Sequence, residues 1–107
     1  MGSRHFNHDL DILESEIAIY FNRLLEKHDE YIIFDEKLLE DNLPEHYLEV
    51  RDTFTGIIFD VHPLKVTKKG IYVLDADNTN TTHILNLHDL ANIQDRINII
   101  ELMENNL

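Results

Sequence analysis

The residues that invite a chemical reading stand at the end of an apolar strand. Ile71-Tyr72-Val73-Leu74 runs directly into Asp75-Ala76-Asp77-Asn78-Thr79. Two carboxylates at this spacing suit either a divalent cation or an acid/base pair, one group ligating or attacking while the other moves a proton. Tested as a calcium loop, Asp75 and Asp77 fill the first and third positions. Thr79 then stands at the fifth, Asn80 replaces the turn glycine, and Asn86 replaces the bidentate glutamate. A strand also precedes the loop where a helix belongs. The chain has seven histidines, none in the His-Glu-x-x-His spacing, and His83 and His88 straddle an expected strand end rather than one helix face. A metal-dependent hydrolase or metal-binding protein would have to gather Asp60, His62, Asp75, Asp77 and His83 from different strands. There is no cysteine, and Ser15 falls inside a helical pattern, so nucleophilic catalysis lacks an obvious carrier.

The Asp75-x-Asp77-x-Thr79 string has the form of the nucleophile motif of haloacid-dehalogenase-type phosphatases. That resemblance implies an attacking Asp75, an acid/base Asp77 and a magnesium ion. It also implies a lysine, a hydroxyl and further carboxylates from later parallel strands. Only one strand and one helix are spelled out after Asp77, which leaves no room for them. The reading that stands is an Asx-rich hairpin loop, in which Asp and Asn side chains bond their own backbone. No catalytic constellation, cofactor site or metal site is expected.

The elements around this loop are read from periodicity. Residues 1–7 show no pattern and are expected to be a disordered or vector-derived leader, with a single α+β domain over 8–107. Leu10, Leu13, Ile17, Phe21 and Leu24 recur at helical spacing, so a helix is expected from His8 to near His28, capped by Asn7 or Asp9. Ile12 and Ile19 lie on its back. Tyr31-Ile-Ile-Phe34 reads as a strand or buried turn, and residues 35–42 as a short helix or loop that Leu43-Pro44 ends. From His46 the period becomes two, with Leu48 and Val50, then Ile57, Phe59 and Val61, joined by a turn at Gly56. Pro63 should break, edge or bulge the second run. Lys68-Lys69-Gly70 then turns the chain into Ile71–Leu74, whose two apolar faces suggest the middle of a sheet. A final helix from about Leu87–Asp89 would carry Leu90, Ile93, Ile97, Ile100 and Met103, with Asn86 and Asp89 as its capping box and Leu85 stapled to Leu90. Strands in the middle and helices at both ends predict an antiparallel meander of four to five strands, with both amphipathic helices on one face.

Charge narrows the partners. Twenty-one acidic residues stand against nine basic ones, a net charge of −12. Such a surface repels phosphates, so direct nucleic-acid binding is not expected. Between Glu26 and Asp52 ten acidic residues face three basic ones, a net of −7. No apolar run is long enough to span a bilayer, and with no disulfide framework the expected setting is the cytoplasm. The composition therefore predicts a small acidic protein-interaction module without catalytic activity, an inhibitor, immunity, antitoxin or chaperone-like binder of a basic protein. Glu30, Asp35, Glu36, Glu40, Asp41, Ile12 and Ile19 are its candidate contacts. A homodimeric accessory domain is the remaining alternative.

Overall fold

The computed structural model describes residues 6–35, 37 and 47–105. Among these residues two α-helices, α1 (Phe6–Lys27) and α2 (Ile93–Asn105), enclose in sequence five strands: β1 (Glu30–Ile32), β2 (Leu48–Arg51), β3 (Ile58–Thr67), β4 (Gly70–Asp75) and β5 (Thr82–Leu85). All pairings are antiparallel, and the fold is α+β as its periodicities predict.

β3 is the hub. Its first half pairs with β2 and its second half with β1, while β4 covers it from the other side and passes the sheet on to β5. β1 and β2 thus lie end to end along one edge of β3, as an edge strand interrupted by residues 33–47. Pro63 sits at the changeover between these two partners. There the missing N–H leaves no ladder bond unmade, and the register against β4 shifts between Pro63 and Lys65. The carbonyl of Leu64, freed by that bulge, accepts the N–H groups of both Ile33 and Phe34 at 2.9 Å. Of the outcomes expected at Pro63, a bulge inside one continuous strand is the one realised.

Alternation along the strands separates two faces. Tyr31, Val66, Ile71 and Leu85 line up across β1, β3, β4 and β5 and are buried. They share one core with Leu48 and Val50 of β2, Ile17, Phe21 and Leu24 of α1, and Ile99, Ile100 and Met103 of α2. Each large aliphatic side chain withdrawn from water there contributes about 1.5–3 kcal/mol. The Tyr31 hydroxyl keeps a partner inside this core by donating to the Leu24 carbonyl. Glu14 meets Arg96 at 3.2 Å and Tyr20 meets Glu104 at 2.7 Å. These contacts occur in the same order along both helices, so α1 and α2 lie side by side and parallel.

Three expected boundaries are corrected. α1 begins at Phe6, ahead of His8, so Asn7 and Asp9 lie within the helix and neither is its cap. Ile57 precedes β3 and is exposed rather than inward. Leu87–Asp89 is a separate one-turn 3₁₀ helix. Asp89 accepts the Asn86 N–H at 2.7 Å as expected, but α2 starts only at Ile93. Its cap is Asn92, whose Oδ1 accepts the Asp95 N–H at 2.8 Å. Leu90 is buried between the two helical pieces and forms a backbone bridge with Val50. Asp95 is buried because its carboxylate also accepts the Glu49 N–H at 2.7 Å, which ties the start of α2 to β2. The short helix or loop expected over 35–42 and its stop at Leu43-Pro44 lie outside the described residues, apart from Asp35 and Lys37.

Candidate functional site

Asp75 closes β4 and His83 lies near the start of β5, so the Asx-rich string does form a hairpin loop. The Asp75 Oδ1 accepts the backbone N–H groups of Asp77 at 2.9 Å and Asn78 at 3.1 Å. Asn78 repeats the device, accepting from Asn80 at 3.2 Å. The second Asp75 oxygen lies 3.4 Å from His83 Nε2, and the His83 ring packs against Phe59 with centroids 5.4 Å apart. Burial works against the Asp75 charge, but the two N–H donors and His83 outweigh it and hold the carboxyl below its ordinary range. Asp75 Oδ1 thus carries two backbone donors of the loop while Oδ2 faces His83 on β5, an arrangement that builds the hairpin.

The five residues of the hydrolase alternative do not converge. Asp75 pairs across the ladder with Val61, and His83 with Val73, on the face that carries the core. Asp60 and His62 alternate with Val61 and point to the opposite face, where His62 is buried against Tyr47 with ring centroids 4.7 Å apart. Asp77 is exposed in the loop. Among the described residues, no three His, Asp or Glu side chains are grouped to hold a metal ion.

The opposite face holds a feature the strand periodicity did not single out. Ile32 of β1, Lys65 of β3, Tyr72 of β4 and Ile84 of β5 are successive register partners, a row straight across four strands. Ile32 and Ile84 at its ends are 58% and 55% exposed, unlike the core row beneath them. Lys65 is held over the Tyr72 ring, its Nζ 4.9 Å from the centroid, and lies 3.4 Å from Glu30. A cleft of about 320 Å³ along the row has Ile32, Phe34, Leu64 and Tyr72 as its apolar lining and Glu30, Asp35, Lys65 and Thr82 as its polar lining. The signal was present in Tyr31-Ile-Ile-Phe34 and Ile71-Tyr-Val-Leu74. β4 does lie mid-sheet, between β3 and β5, as its two apolar faces suggest; the further finding is that the ends of this row, Ile32 and Ile84, leave apolar surface exposed on the second face.

Of the candidate contacts, Glu30 and Asp35 stand together at this cleft. Glu36, Glu40 and Asp41 lie outside the described residues, as does the side chain of Ile12. Ile19 is 53% exposed on α1, on the back of the helix as expected. Among the described residues no helix is long and apolar enough to cross a membrane. Comparison with family models, with curated proteins and with solved structures finds no match to this chain.

Proposed function

We propose that the chain is a non-catalytic binding module, in a cytoplasmic setting, for a basic protein partner. The observation that supports it is the row Ile32–Lys65–Tyr72–Ile84 beside a cleft edged by Glu30 and Asp35. Exposed apolar side chains of this kind supply area to bury, and the surrounding carboxylates supply a field that steers a cationic partner into register. Such a field reaches about 8 Å at physiological ionic strength, and Glu36, Glu40 and Asp41, later in the sequence, are its further candidate contributors.

The test takes the partner captured from a native lysate and measures its association rate with a variant carrying Glu30→Gln, Asp35→Asn, Glu36→Gln, Glu40→Gln and Asp41→Asn. The expected result is a rate lowered about tenfold or more, with a flatter dependence on salt. A rate indifferent to both salt and the substitutions overturns the reading and leaves the charge as a solubility device.

A further inference from the structure

A second concave surface lies between the helices. Leu13 and Ile17 of α1 and Ile97 and Ile100 of α2 form its floor, and the whole groove encloses about 360 Å³. Glu16 stands on the α1 side, and Glu101 and Glu104 on the α2 side. All three glutamates are exposed, and among the described residues that line the groove there is no lysine or arginine. Tyr20 crosses one end, its hydroxyl bonded to Glu104.

We propose that this groove docks a basic amphipathic helix of a partner protein. The inference rests on the basic-partner reading and gives that partner a second point of contact, separate from the cleft at Glu30 and Asp35. Along α1 the lining runs from Leu13 to Tyr20, two helical turns or about 10 Å at about 1.5 Å per residue. A helix laid in the furrow therefore presents apolar side chains at i, i+3 or i+4, and i+7 to the floor. Its flanking positions meet carboxylates on both walls, which selects lysine or arginine on each side and rejects an acidic helix. A phosphate-rich surface, membrane or nucleic acid, meets the same three carboxylates as repulsion. The direction of docking also follows. Glu101 and Glu104 gather negative charge in the last described turns of α2, at one end of the groove. The positive N-terminus of the incoming helix belongs there, so it runs antiparallel to both α1 and α2.

The probe is a labelled amphipathic peptide of leucine and lysine, about 18 residues long to cover the groove with several turns, titrated against the full chain by anisotropy and by amide NMR. One variant carries Glu16→Lys, Glu101→Lys and Glu104→Lys; the other carries the same charge change as Glu30→Lys, Asp35→Lys and Glu36→Lys. The expected result is an affinity lowered about tenfold or more by the first variant and far less by the second, with shifts centred on Leu13, Ile17, Tyr20, Ile97 and Ile100. Equal losses, shifts at the sheet face, or no binding to the native chain each overturn the groove. If the first variant does not fold, the milder Glu→Gln substitutions at the same three positions carry the comparison. The lysate partner's association rate, measured separately, decides the basic-partner reading, so the two failures are distinguishable.

Discussion

The Tyr20 hydroxyl donates a hydrogen bond to Glu104 at 2.7 Å, joining residues 84 positions apart across the two helices. Both side chains are exposed, so the bond does less to stabilise the fold than to fix a carboxylate at the mouth of the interhelical groove. It also has a spectroscopic signature. The hydrogen bond to Glu104 first, then desolvation, then repulsion from the carboxylate charge, raise the Tyr20 phenol above its ordinary value of 10.0. A native-state value raised above the unfolded one means that this stabilisation is complete below pH 10 and is lost as pH rises through the native value. Phenolate absorbance should show a tyrosine that ionises late, brought back toward its ordinary value by Glu104→Gln and absent in Tyr20→Phe. Tyr31, raised by burial, remains late in both variants. A Glu104→Gln titration curve identical to the native one would mean that the contact does not persist in solution.

Why some of this fold was readable in the sequence and some was not comes down to particular residues. The helical stripe through Ile17, Phe21 and Leu24 and the alternation of Leu48 and Val50 are local patterns, and local patterns survive. The start of α2 is ambiguous in the sequence because the chain contains the same capping pattern twice. Asn86-Leu-His-Asp89 and Asn92-Ile-Gln-Asp95 have equal claims to open a helix. The choice is tertiary: Asp95 holds the Glu49 N–H of β2, and Ala91 donates to the Glu49 carbonyl at 2.7 Å, so the chain must stay extended at Leu90 before it can coil. The candidate site failed to assemble for a different reason. Alternation already sets Asp60 and His62 opposite Phe59 and Val61, but Ile71–Leu74 is apolar on both faces, so only the pairing of β3 with β4 decides which face Asp75 shares. Ile32 and Ile84 were individually visible as apolar positions, but their alignment through Lys65 and Tyr72 exists only in the paired sheet.

Gly70 and Gly56 offer a controlled comparison of two turns. Both have positive φ, at 146° and 73°. A Cβ on Gly70 would stand 2.7 Å from the Leu85 carbonyl oxygen and 2.9 Å from the Ile84 side chain, whereas one on Gly56 would meet nothing within 4 Å. Gly56→Ala therefore costs only the backbone strain of the left-handed region, about 1–2 kcal/mol. Gly70→Ala adds a clash against the backbone of β5 and should cost at least about 1 kcal/mol more than Gly56→Ala. Urea denaturation of the two variants checks this. Equal midpoints would show that β5 can move away from Gly70 freely and that the sheet edge is looser than its register indicates.

Asp75 sets the last test, because its carboxylate is where the sequence pointed to chemistry and the structure shows loop-building. Its Oδ1 accepts the Asp77 and Asn78 N–H groups, and its other oxygen faces His83. Asp75→Asn keeps an oxygen that can accept those two bonds but removes the charge that strengthens them. Burial opposes the ionised form; the donors and His83 prevail and hold the native carboxyl below its ordinary value of 3.8. A depressed native value means that the stabilisation is present above that pH and is lost as pH falls through the native value. The native protein should thus exceed Asp75→Asn in stability at neutral pH, and the gap should close as urea midpoints are followed below pH 3.8. His83→Ala should narrow the gap without abolishing it, since the two backbone donors remain. A gap constant from neutral to acid pH would show that the carboxylate charge contributes nothing to the loop.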